Sequence, residues 1–205
     1  MNKIAGLCFG VLLMGASLGA YAEMTAPDVL IKNIAQEVLA IVKRDKDIQA
    51  GDRQKILALV DAKVLPNFDF ERMTRLAVGR AWRDATPEQQ QTLVAEFRDL
   101  LVNTYTNAFT RYKDQTLEVG PLQAPAGANE VTVKTRILKA GTQPVTVDYE
   151  MENTAEGWKV FDLSVDGISL VITYRGAFGD LVAQSGIGGL ITSLTKKNAS
   201  NNASH

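Results

Sequence analysis

Apolar residues recur at steps of three and four through the first half of the chain and alternate with polar ones through much of the second. The clearest helical pattern follows Thr86-Pro87-Glu88-Gln89. This start combines an N-cap hydroxyl, a proline at the first helical position and a glutamine placed to close a capping box. Leu93, Phe97, Leu100, Leu101, Tyr105, Phe109 and Tyr112 then share one side of a helix expected to reach about Asp114, and Glu96, Arg98 and Asp99 take the other.

Upstream, Thr25-Ala26-Pro27-Asp28 opens a helix with a stripe of Leu30, Ile34, Val38, Ile41 and Val42. The charged run from Asp45 to Gly51 is expected to interrupt it. Asp52 caps a further helix through Ile56, Leu59, Val60 and Val64, which Pro66 stops. Asp69 is the N-cap of a short helix over Glu71 to Trp82, weakened or ended at Gly79.

After the long helix the period falls to two. Thr116 to Val119 predicts a short strand. Val131, Val133, Thr135 and Ile137 alternate with polar residues, as do Val145, Val147, Tyr149 and Met151. Trp158 to Val165 predicts the last strand. Connections of hairpin length at Ala140-Gly141 and over Asn153 to Gly157 make the sheet antiparallel, so the class is α+β with about four strands. Ser169 to Ala183 returns to helical spacing, and a shorter helix is expected from about Ile187 to Leu194. Residues 198–205 are polar and expected to be disordered.

Composition narrows the chemistry. The chain has 205 residues and a net charge of −1, which gives one domain, expected over 23–197, and no basic field for nucleic acid. Lys3, the apolar run from Ile4 to Ala16 and Ala20-Tyr21-Ala22 form a signal-peptide pattern over 1–22, with cleavage expected after Ala22. Cys8, the single cysteine, lies inside it, so the mature chain is expected to hold no thiol. The single histidine, His205, is the last residue, which leaves no preorganised histidine base or ligand. Asp45 and Asp47 do not begin a calcium loop, because Ala50 and Ile56 occupy the glycine and carboxylate positions. Ser169 reads as a helix cap, and Ser185 to Gly189 as a turn rather than a phosphate loop. Three strand aspartates, Asp148, Asp162 and Asp166, keep open a small enzyme using a carboxylate for proton transfer. A closed interaction or scaffold protein is the other alternative. No metal or cofactor is called for.

The stretch VLPNFDFERMTRLAVGRAWRDATPEQQQTLVAEFRDLLVNTYTNAF resembles the MlaC family of periplasmic phospholipid-binding proteins, whose members are also called toluene tolerance proteins. A second block, GWKVFDLSVDGISLVITYRGAFGDLVAQSGIGGLITSL, is similar to the family in the same order. The resemblance implies a twisted antiparallel sheet wrapped by helices, of the cystatin-like or NTF2-like kind, with an internal apolar cavity for acyl chains. It implies a non-enzymatic, monomeric carrier in the periplasm. Such a carrier shuttles phospholipid between an outer-membrane lipoprotein–porin complex and an inner-membrane ABC transporter with a hexameric substrate-binding protein, maintaining outer-membrane lipid asymmetry.

Carried onto this chain, the resemblance implies lipid contacts from four segments. The first supplies Phe68, Phe70, Met73, Leu76 and Trp82, and the long helix Phe97, Leu101, Tyr105 and Phe109. The sheet supplies Val133, Val147, Tyr149, Met151, Val160 and Val165, and the closing block Ile168, Val171, Tyr174 and Phe178. Arg72 and Arg75 are the candidate headgroup or partner contacts, since guanidinium groups suit a phosphodiester or an anionic surface. Tyr105, Tyr149 and Tyr174 are the candidate headgroup hydroxyls.

Overall fold

A computed structural model describes residues 25–106, 115–125 and 127–203. The signal-peptide segment with Cys8, the expected helix end with Phe109 and Tyr112, and His205 lie outside them.

Helix α1 (Pro27–Arg44) starts on proline, as expected, and carries Lys43 and Arg44 in its last turn, where the helix dipole favours cations. The charged run beyond it is not a break. It forms α2 (Lys46–Ala50), because the Asp45 side chain accepts from the Asp47 and Ile48 amides and Ile48 is buried. Lys55 bridges Asp45 and Asp47, at 3.1 and 2.6 Å, so those carboxylates already have a cation. Asp52 caps α3 (Arg53–Lys63). Asp69 caps α4 (Phe70–Val78), which stops at Gly79 and passes into a 3-10 turn, Gly79–Asp84. The full capping box at Thr86 and Gln89 starts α5 (Pro87–Tyr105).

The sheet is an antiparallel meander of β1 (Thr116–Val119), β2 (Glu130–Leu138), β3 (Val145–Thr154), β4 (Gly157–Val165) and β5 (Ile168–Ser169). The two-residue β5 was not expected. It follows from Asp166-Gly167, both at positive φ (48° and 79°), which turn the chain back within two residues. A bulge at Phe161 shifts the β3–β4 register, pairing Glu150 with Asp162 but Met151 with Val160. Beyond β4 the backbone at Phe68 forms a parallel bridge with Val160, and the Asp69 amide donates to the Val160 carbonyl at 2.9 Å. This seats α4 at the sheet edge.

Helix α6 (Leu170–Ala203) is broken at Gly186, whose φ of 68° and ψ of −176° suit glycine alone. The expected second helix is therefore present but longer. Residues 198–203, expected to be disordered, continue it. Asn198 is buried and its Nδ2 bonds the Glu96 carbonyl and carboxylate at 2.9 and 2.7 Å, a tertiary anchor that a polar composition hides.

Among the described residues, three apolar clusters result. One joins α4, α5 and α6 around Met73, Leu93, Phe97, Phe178 and Leu190. A second joins α1, α2 and α3 around Val42, Ile48, Ile56 and Val60. The third packs Ile31 of α1 on Val131, Val133, Met151 and Val160 of the sheet.

Candidate functional site

The register puts the odd-numbered apolar residues of β2 and β3 on one face: Val131, Val133 and Ile137 beside Val147, Tyr149 and Met151. On β4 the bulge keeps Val160, Leu163 and Val165 opposite them. One end of this face is filled, where Ile31 covers Val133, Met151 and Val160. The other end is not. There the three clusters leave a cavity of about 360 Å³, within the range of roughly 300–1,000 Å³ typical of small-molecule sites.

Its walls come from every layer. Ile34, Ala35, Val38 and Leu39 of α1 face Leu117, Ile137, Val147 and Tyr149 of the sheet. Val60 and Val64 of the α3 segment, Phe68 and Phe70, and Leu101, Val102 and Tyr105 of α5 complete the sides, with Leu170 at the head of α6. Phe68 and Phe70 stack with centroids 5.7 Å apart. Among the described residues, no lining side chain is charged. Thr106, Gln115, Thr116 and Asn67 are its polar positions besides the two tyrosines. Tyr105 is 41% exposed and Thr116 is exposed, so the cavity reaches the surface at that end.

The expected contacts separate on this geometry, with Met73, Leu101 and Val160 belonging both to the wall and to a packed cluster. Phe68, Phe70, Met73, Leu101 and Tyr105 line the cavity, as do Val147, Tyr149, Val160 and Val165. Leu76, Trp82, Phe97, Val171 and Phe178 belong instead to the core of α4, α5 and α6. Val133 and Met151 are sealed under Ile31. Ile168 stands 65% exposed on the edge strand. Tyr174 packs against Phe97 and Phe178, with centroids 5.0 and 5.5 Å away, and borders a separate surface groove between α5 and α6. Burial pushes the Tyr174 phenol above its ordinary pKa, and neighbouring Tyr105 adds to the shift. The Tyr174 phenol thus stays a protonated donor at neutral pH.

Arg72 does not line the cavity. Its two guanidinium nitrogens bond Glu152 and Glu130 at 2.6 Å each, on the sheet face away from the cavity, and its plane sits over Phe161. Arg75 is exposed and forms no ion pair with any described carboxylate.

The α1 and α3 walls were missed. Their stripes were visible in the sequence, but a stripe that faces a cavity has the same spacing as one that faces a core.

None of the three strand aspartates lines the cavity. Asp162 accepts from the Leu163 and Val171 amides at 2.7 and 3.1 Å and from the Ser169 hydroxyl. Ser169 in turn caps α6, accepting from the Ile172 amide at 3.0 Å. Asp166 accepts from the Thr146 amide and hydroxyl. Among the described residues no group of three His, Cys, Asp or Glu side chains is placed to hold a metal, and no helix is long and apolar enough to cross a membrane.

Comparison with known proteins places this cavity in context. A phospholipid-binding protein from Ralstonia solanacearum, solved in complex with a phospholipid, superposes with a TM-score of 0.82 at 37% identity, over 87% of this chain and 99% of its own. The toluene tolerance protein ttg2D of Pseudomonas putida is 27% identical over 177 residues, 86% of this chain and 81% of its own length. The MlaC binding protein of the intermembrane phospholipid transport system of Haemophilus influenzae is 22% identical over 178 residues, 85% of this chain and 83% of its own. The family profile described as MlaC protein matches residues 32–196, and the chain belongs to that family.

Proposed function

We propose that this protein is a phospholipid carrier that takes acyl chains into its cavity and moves them between membranes. The observation that carries this reading is the apolar wall of the cavity, on which no described side chain is charged. A long acyl chain costs on the order of 12 kcal/mol to expose to water, at about 0.8 kcal/mol per methylene. A cavity that replaces the membrane's apolar contacts makes transfer nearly neutral, so partners can set its direction. Binding and release suffice, and no covalent step is part of this reading. The relatives' names and the phospholipid held by the Ralstonia protein support it.

The same reading places the mature chain in the periplasm as a monomer, after removal of residues 1–22. Its partners are an outer-membrane lipoprotein–porin complex and an inner-membrane ABC transporter with its hexameric substrate-binding protein. Native mass spectrometry of the protein purified from the exported compartment without detergent, followed by lipid extraction, tests it. The expected result is stoichiometric phospholipid. A bare chain that also takes up no lipid from vesicles overturns the proposal.

A further inference from the structure

Two buried polar atoms on the apolar wall lack a hydrogen-bond partner. They are Oγ1 of Thr106, a residue only 3% exposed, and Oε1 of Gln115. Both residues line the cavity. The other polar positions differ. Asn67 donates to the Lys63 carbonyl at 2.9 Å, Tyr105 neighbours Tyr174, and Thr116 is open to solvent. Folded proteins rarely leave buried polar atoms unpaired, and where they do the site commonly serves a ligand or a water.

The position of the pair is specific. Thr106 is the C-cap of α5 and Gln115 directly precedes β1, so they adjoin Tyr105 and Thr116, where the cavity reaches the surface. Any amphiphile lying with its chains inside and its headgroup in water must pass this level.

On the reading of the protein as a phospholipid carrier, we infer that Thr106 and Gln115 hydrogen-bond the ester carbonyls that join the acyl chains to glycerol. Three points select esters over phosphate. The pair is neutral, and no charged side chain lines the described wall, so an anion drawn to this depth has no compensating charge. An ester carbonyl is a neutral acceptor that one donor satisfies. The esters lie between chains and phosphate, as the pair lies between the apolar interior and the surface. The Thr106 hydroxyl is one donor. The Gln115 carboxamide supplies the other by a half-turn about χ3, a torsion with two comparable wells. The phosphate then remains outside, in water.

The test is a competition. The protein, stripped of lipid, is offered vesicles containing equal parts of dioleoyl phosphatidylglycerol and its dioleyl ether analogue, which lacks the carbonyls. Captured lipid is counted by native mass spectrometry. The ester lipid is expected in several-fold to about tenfold excess, the effect of one or two ordinary hydrogen bonds. Thr106→Val and Gln115→Leu are each expected to shrink that excess, and Thr106→Ser to keep it. Equal capture by the wild-type chain overturns this inference and leaves the carrier reading standing. An excess that neither substitution alters also overturns it. Capture of neither lipid overturns the carrier reading itself. A Thr106→Val chain that fails to fold leaves the wild-type competition decisive.

Discussion

The guanidinium carbon of Arg72 lies 3.5 Å from the centre of the Phe161 ring, while the same group bonds Glu152 and Glu130. Phe161 is the bulged residue of β4, so the contact ties α4 to the irregularity that re-aims that strand. Burial alone would lower the Arg72 pKa, but the two carboxylates outweigh it and hold the group charged. Arg72→Met therefore leaves two acidic groups without their cation. A loss of about 1–3 kcal/mol is expected, which thermal unfolding would register as a drop of several degrees. A variant as stable as the parent would show that the clamp contributes nothing.

Glu150 and Asp162 are directly opposed across β3 and β4. Burial, then the charge of Asp162, raises the Glu150 pKa; Glu130 and Asp148 add to the shift and Arg72 opposes it. A raised carboxyl is more easily protonated in the native state than in the unfolded one, so its ionisation costs stability. That cost is absent below the ordinary glutamate value of 4.5 and develops as pH rises through the raised value. Glu150→Gln should raise the melting temperature at neutral pH, and the difference should vanish in acid. Melting curves from pH 3.5 to 8 would decide it, and a difference independent of pH would refute the electrostatic cause.

Ala35 is a small side chain on the α1 wall, whereas Ala40 is exposed on the same helix and away from the cavity. Ala35→Trp should occupy space that acyl methylenes otherwise use. Losing a few buried methylenes, at about 0.8 kcal/mol each, lowers uptake about tenfold or more. Ala40→Trp should bind as the parent does. Lipid occupancy after incubation with vesicles compares the two, and equal occupancy would place the acyl chains elsewhere.

Asp162 and Ser169 form the joint between the end of the sheet and α6. Asp162→Ala removes the acceptor for the Val171 amide, a buried bond, and should cost about 1–3 kcal/mol of stability with lipid uptake retained. Loss of a catalytic turnover without loss of stability would instead favour a proton-transfer role for this aspartate. Chemical denaturation and an uptake assay on one preparation separate the outcomes.

The helices and strands were legible wherever a local signal sufficed: the Thr86 capping box, Asp52, Asp69, Pro66 and the alternation in β2 and β3. The cavity was legible only in part, and Val133 and Tyr149 show why. They are cross-strand partners on one face, yet the first is sealed under Ile31 and the second lines the cavity. Alternation reports the face, and only the reach of α1 decides which end is filled. Arg72 could not be read because its partners lie 58 and 80 residues away, and Asn198 because Glu96 lies 102 away. The break at Gly186 was marked by its glycines. At Gly189 a side chain would collide with Ser185, so the return of α6 depends on a missing Cβ.

The three apolar clusters found among the described residues all border the cavity, and Phe68 packs against two of them. An occupant therefore completes the interior and does not merely rest in it. Without one, α1 and its two short neighbours are held to the rest by the Ile31 end, by the 2.6 Å hydrogen bond from Arg53 to Asn103 of α5 and by the Phe68 bridge to β4. With an acyl chain across the middle, opening there means exposing the chain as well. Loading is therefore expected to couple these elements more tightly, so that the cooperativity of unfolding becomes a property the protein shares with its cargo.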